Sequence, residues 1–237
     1  MITAAGFKKT LEYFSPYFTQ GVLYTIILAF CAVLMGFLLA LVLAFMRLSK
    51  KSVVGNILRF ISGAYIEFVR GTPMLVQLMI IYYGVFGVIK LPSFTMLGFI
   101  EGSRFVPGVI AIALNSAGYV AEIVRGGIQG VDYGQTEAAR SLGLTSHQNM
   151  RFIVLPQAVK NILPAIANEF VTIIKESSVC MVLGMQDIMF NAKLVQTSSW
   201  RIMEPLLVAA VLYFCLTFPT SKAIQALERK MRRGDER

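Results

Sequence analysis

From Gly21 to Met46 the chain has no charged residue. At about 1.5 Å per residue, a helix over that run is long enough to cross a bilayer core of roughly 30 Å. In lipid the backbone of such a run must satisfy its own hydrogen bonds, so it folds as a transmembrane helix. The run stops at Arg47, Lys50 and Lys51. Composition agrees with this reading. Of 237 residues, 56% are hydrophobic and 15% charged, with a mean hydropathy of +0.67, whereas ordinary soluble domains carry about 25% charged residues. A soluble core of this size could not hide so much apolar surface. The net charge of +9 would suit nucleic acid, but the basic residues cluster beside apolar runs. That pattern orients a chain in a membrane and argues against a nucleic-acid partner. Cys31, Cys180 and Cys215 lie inside apolar stretches and are expected as buried small hydrophobes, with neither metal-ligand spacing nor a disulfide framework.

The expected fold is all-α and polytopic, with five transmembrane helices. After the first span comes a less regular region, Ser52 to Val69, broken at Arg70-Gly71-Thr72-Pro73. Pro73 lacks a backbone donor and biases Thr72 away from helical angles. The apolar stretch Met74 to Ile89 spans only about 24 Å as a helix, so part of the preceding region must share this second crossing. A polar loop from Lys90 to Arg104 leads to a third span near Phe105 to Val124. The fourth is expected near Asn161 to Gly184 and the fifth near Pro205 to Ala226. The chain is expected to divide into an N-terminal amphipathic segment (1–20) on the outer surface, a membrane domain (21–226) and a charged cytoplasmic tail (227–237). The first apolar run is too long for the core of a cleavable signal, and no internal repeat or linker is visible.

Lys and Arg set the orientation. One side holds Arg47, Lys50, Lys51, Arg59, Arg125, Arg140, Arg151, Lys160, Lys222, Arg229, Lys230, Arg232, Arg233 and Arg237. The other holds Lys8, Lys9, Lys90, Arg104, Lys193 and Arg201. The richer side is cytoplasmic, which puts the N-terminus outside and the C-terminus inside.

The loop between the third and fourth spans, 132–156, encodes two short helices with a sharp turn. Asp132 is a plausible N-cap, and Glu137, Ala138, Ala139, Arg140 and Leu142 are good helix formers. Gly143 suits the left-handed position that ends a helix. Thr145 and Gln148 have capping-box spacing, and Pro156 enters the fourth span. On these residues alone, the segment could be an ordinary helical loop tying two spans together.

Glu137-Ala138-Ala139, then Gly143, then Ile153-Val154-Leu155-Pro156 resembles the EAA loop of binding-protein-dependent ABC importer permeases, which have the MetI-like fold. Arg70-Gly71-Thr72-Pro73, Glu122 to Ile128 and Asn168-Glu169-Phe170 resemble the branch that handles polar amino acids (histidine, glutamate, glutamine, arginine and opines). The resemblance implies a multi-pass protein of the bacterial cytoplasmic membrane, in which Glu137, Ala138, Ala139, Gly143, Leu144 and His147 dock onto a cytoplasmic dimer of ATPase subunits. It also implies a second permease subunit, identical or related, and an external solute-binding protein that delivers the amino acid. ATP and magnesium would sit on the ATPase, since this chain has no phosphate-cradling G-x-x-x-x-G-K-[ST] sequence. No cofactor, metal or catalytic residue is expected on this chain.

Polar residues inside the expected spans point to a pathway. Glu169, Lys175 and Glu176 fall in the fourth span, where each costs roughly 2.5–3.5 kcal/mol without a partner. In the third span Asn115, Tyr119 and Glu122 recur at helical spacing and form one polar stripe. A cavity between the stripes would suit a zwitterion, with Lys175 for the carboxylate, Glu169 for the ammonium and Asn115, Tyr119, Glu122 and Thr172 as further lining. A structural ion pair or a polar contact between subunits explains the same residues. His147 has no second ligand nearby and is expected as a solvated or ATPase-contacting residue. Trp200 is expected as an interfacial anchor. A gradient-driven transporter, a membrane enzyme and a passive channel are the rival classes, but the chain shows no inverted repeat and no convergent catalytic set.

Overall fold

The computed structural model describes residues 4–49 and 52–232, apart from the side chains of 4–7, 9, 11 and 232. Lys50, Lys51, Arg233 and Arg237 of the charge pattern lie outside the described residues. The uncharged run forms the inner part of α1 (Ala4–Arg47), a helix of 44 residues. The N-terminal segment, expected as a separate surface helix, is continuous with the first span and passes through Pro16. Two of its apolar residues turn inward: Phe18 is buried and Phe14 packs beside it, both against Ile188, Ala192 and Val195.

The chain then enters α2 (Val53–Gly71), whose first turn is capped by the Ser52 hydroxyl accepting from the Gly55 amide at 3.1 Å. Beyond Thr72-Pro73 follow α3 (Met74–Met79), a π-helical stretch Ile80–Val85 and α4 (Phe86–Val88). The two halves of this broken element meet at 109°. A small antiparallel hairpin replaces the expected loop: β1 (Thr95–Met96) pairs with β2 (Ile100–Glu101), Thr95 opposite Glu101. Then come α5 (Gly102–Gln129), α6 (Tyr133–Ser141), α7 (Ser146–Asn149), a π-helical stretch Met150–Val154 and α8 (Leu155–Glu176). A 3₁₀ segment Ser177–Leu183 leads to α9 (Ile188–Ser199) and α10 (Met203–Arg232). The charged stretch from Glu228 to Arg232, expected as a separate tail, continues α10 as helix.

Among the described residues, three helices are long and apolar enough to cross a bilayer alone: Glu12–Arg47, Gly102–Gln129 and Met203–Met231. The broken pair Val53–Gly71 and Met74–Val88 makes a fourth if counted as one crossing. The expected span Asn161–Gly184 differs. It is α-helical only to Glu176, and Asn161, Asn168, Glu169, Lys175 and Glu176 make it too polar to cross a bilayer on apolarity alone. It packs instead against α5, α10 and α1, where polar groups of a membrane helix are tolerated.

The tightest seam joins α1 to α5. Ala32, Gly36, Ala40 and Ala44 recur every fourth residue on α1, and Ala113, Ala117 and Ala121 do so on α5; all the alanines are buried. A Cβ on Gly36 would lie 3.0 Å from the Ala113 carbonyl oxygen. Small residues at this spacing let two backbones approach and gain dispersion contacts that lipid cannot supply. Opposite the seam, Phe30, Leu34, Leu38, Val42 and Phe45 form an exposed apolar stripe, as a lipid-facing surface requires. Of the cysteines, Cys180 is buried as expected, Cys31 is half-buried and Cys215 is exposed on α10. Trp200 is 92% exposed in the turn before α10.

Candidate functional site

The loop 132–156 folds as a capped elbow. The Asp132 carboxylate accepts from the Gly134 amide at 2.7 Å and starts α6. The helix ends in a Schellman motif: the Leu144 amide donates to the Ala139 carbonyl at 3.0 Å, and the Gly143 amide to the Arg140 carbonyl at 2.9 Å. Gly143 occupies the left-handed position with φ +79°, and among the described residues no atom beyond its chain neighbours lies within 4 Å of where its Cβ would stand. The glycine is therefore required by backbone conformation and not by crowding within the subunit.

The next helix opens on the expected capping box. Thr145 Oγ1 accepts from the Gln148 amide at 3.3 Å, and the Gln148 side chain accepts from the Thr145 amide at 2.9 Å. Asn149 ties the two arms together, its Nδ2 donating to Thr136 Oγ1 at 3.2 Å. Ala139 is 4% exposed and Leu144 half-buried, so they form the inner side of the bend. Glu137, Ala138 and His147 face outward, as do Tyr133 and Leu142, the latter 81% exposed.

The pathway candidates separate into two groups. The α5 stripe faces the broken element α2–α4. Asn115 is 5% exposed and its Nδ2 donates to Gln77 Oε1 at 3.0 Å. Arg70 stacks over the Tyr119 ring, 5.8 Å from its centre. Glu122 forms a bidentate ion pair with Arg125, the shortest contact 2.7 Å. On α8, Glu169 faces Ser116 of α5, and Thr172 donates to the Asn168 carbonyl at 3.2 Å. Lys175 is exposed and lies nearest in sequence to Glu176. Glu169 thus meets α5 one residue from Asn115, while Lys175 lies on the exposed side of α8.

Residues 32–233 match the family described as binding-protein-dependent transport system inner membrane component. The chain belongs to that family. Its membership makes it a multi-pass component of the inner membrane that serves transport and not catalysis. Over 212 residues it is 37% identical to the putative glutamine transport system permease protein GlnP of Rickettsia typhi, covering 90% of this chain and 91% of that one. It is 36% identical to the arginine transport system permease protein ArtQ of Bacillus subtilis, covering 93% and 94%. A solved structure, described as an amino acid ABC transporter with histidines, superposes with a TM-score of 0.86 at 40% identity, covering 97% of this chain and all of the other.

Two features of the site are not apparent from residue spacing. One is Gln77, which is 7% exposed and hydrogen-bonds across the helix break; a glutamine just past Pro73 in an apolar stretch is the only signal that could have flagged it. The other is the pairing of Glu122 with Arg125 at i, i+3 on α5, which the sequence offers but which a search for pathway stripes passes over.

Proposed function

We propose that this chain is the permease subunit of an ATP-driven importer of polar amino acids, and that the elbow at 132–156 is its coupling loop. The observation carrying this reading is the Schellman-closed bend at Gly143, which holds Leu142, Glu137, Ala138 and His147 outward on a stiff support. In this reading the elbow seats on a cytoplasmic ATPase dimer that holds ATP and magnesium. Closure of that dimer moves α5 and α8 together, because the elbow is their direct connection. An external binding protein delivers the substrate. The class of substrate rests on relatives named for glutamine, arginine and nopaline transport.

The topology proposed is five crossings, with the broken element and α8 each counted as one, the N-terminus outside and the C-terminus inside. Counting Lys and Arg supports that orientation. A second permease subunit covers the stripe Asn161, Asn168 and Lys175 on α8, which is exposed on one side of the helix and would be costly against lipid. Glu169, Thr172 and Lys175 then line the pathway with Tyr119, beside that seam. Asn115 and Glu122 flank it, engaged with Gln77 and Arg125.

The test is reconstitution of the chain with its ATPase and binding protein in liposomes. Uptake of labelled glutamine, arginine or histidine should require ATP and the binding protein, and a cysteine at Leu142 should cross-link to the ATPase. Uptake that persists without ATP, or an elbow cysteine labelled from outside the cell, would overturn the reading.

A further inference from the structure

The break in the second crossing leaves a specific defect. Pro73 has no N–H, so the Val69 carbonyl loses the amide that would bond to it four residues on in a continuous helix. Polar backbone at membrane depth must be satisfied from within the protein. Gln77 supplies the missing donor: its Nε2 lies 2.8 Å from the Val69 carbonyl oxygen. The same nitrogen lies 2.7 Å from Thr72 Oγ1 and 3.1 Å from the Thr72 carbonyl oxygen. Thr72 Oγ1 in turn donates to the Phe68 carbonyl at 2.8 Å. One side chain and one hydroxyl thus close the end of α2 at the corner.

The other end of the Gln77 amide leaves the corner altogether. Its Oε1 accepts from Asn115 Nδ2 of α5 at 3.0 Å. Three further contacts hold the same surfaces together. The Tyr65 hydroxyl donates to the Leu114 carbonyl at 2.7 Å. A Cβ on Gly118 would lie 2.9 Å from Val69 Cγ1, so Val69 seats on that glycine. Arg70 stacks over Tyr119. The corner is therefore keyed to one stretch of α5, residues 114–119. From there α5 runs unbroken to Gln129, and only Gly130, Val131 and the Asp132 cap separate it from α6.

Resting on the importer reading, we infer that Gln77 and Asn115 form the joint through which α5 carries movement of the elbow to the corner of the broken crossing. Capping Val69 alone would not need Asn115. A buried amide pair adds little stability over an apolar pair of the same shape but fixes one relative geometry. Gln77 is a positioning residue: it acts on the pathway through the corner and not by touching substrate.

The complete transporter in liposomes tests this with Asn115→Leu, which cuts the link while leaving the cap on Val69, and Gln77→Met, which removes both. The joint predicts that each variant lowers the maximum uptake rate at least tenfold per assembled complex. Half-saturation should stay unchanged, ATP hydrolysis should continue, and the double variant should be no worse than the poorer single one. Wild-type uptake by Asn115→Leu would overturn the inference. So would a change in half-saturation alone, which would make Asn115 a substrate contact, or a loss of assembled protein with normal uptake per complex, which would make the pair purely structural. Should Asn115→Leu not assemble, Asn115→Ala makes the same cut. If the wild-type complex itself shows no ATP-dependent uptake, the importer reading fails first, and that control separates the two failures.

Discussion

The Leu144 amide donates to the carbonyl of Ala139 across Gly143, at 3.0 Å, so the alanine and the glycine of the loop motif are two ends of one helix stop. A bulky residue at Gly143 must adopt the left-handed conformation or break that bond. The conformation costs roughly 1–2 kcal/mol for ordinary L-residues and less for asparagine. Gly143→Asn is expected to keep most uptake, and Gly143→Val to lose at least tenfold with the protein still inserted. Gly143→Asp separates the two demands on this position. Aspartate can take the backbone angle but places a charge on the outward surface, and it should uncouple ATP hydrolysis from uptake. Parallel assays of ATPase and transport read all three, and normal uptake by Gly143→Asp would count heavily against docking at this bend.

Gly36 offers a test of packing alone. Its missing Cβ would stand 3.0 Å from the Ala113 carbonyl oxygen and 3.2 Å from Ser116 Cβ. Gly36→Val must push α1 from α5 and should destabilise the fold by about 1–3 kcal/mol, the usual cost of overpacking. Gly36→Ala should cost less. Thermal unfolding of the purified chain in detergent gives the order, and equal melting temperatures for all three would refute the close-packed seam.

A buried polar knot joins the loop before α9 to α10. Asp187 accepts from the Phe190 amide at 2.8 Å and from the Tyr213 hydroxyl at 3.0 Å. Tyr213→Phe leaves one carboxylate oxygen short of a donor and should cost about 1–3 kcal/mol. Asp187→Leu removes the acceptor from both partners and should cost more. If the two substitutions are combined, the losses should not add, which a double-mutant cycle on unfolding would show.

Glu169→Gln and Lys175→Met address the pathway. Each should raise the half-saturation for uptake severalfold, with ATPase activity retained in the absence of substrate. Unchanged kinetics in both variants would end the proposal that these side chains line the route.

The elbow was legible almost bond by bond, because Asp132, Gly143, Thr145 and Gln148 make local hydrogen bonds whose partners lie within a few residues. The break at Pro73 was equally plain, since proline acts on its own backbone. Less legible was whatever needed a neighbour. The segment around Phe14 and Phe18 reads as a surface helix until α9 is there to bury it. The stripe Asn115, Tyr119 and Glu122 was visible, but its partners Gln77 and Arg70 come to it only through the fold. The alanine and glycine repeats of α1 and α5 were present in the sequence, but a small residue looks like an absence until the opposing backbone comes within contact distance. α8 is the converse case: a helix was expected from Asn161 onward and is present to Glu176, although its polar residues keep it from passing on apolarity alone.

The stripe Asn161, Asn168 and Lys175 has a cellular consequence. In the proposed arrangement, with α8 crossing the bilayer beside a second permease subunit, a solitary copy would show these groups to hydrocarbon and assembly would relieve the penalty. Newly made chains that meet no mate should therefore be the ones cleared by membrane proteases, so the standing amount of this protein should be set by the supply of its mate and not by its own rate of synthesis.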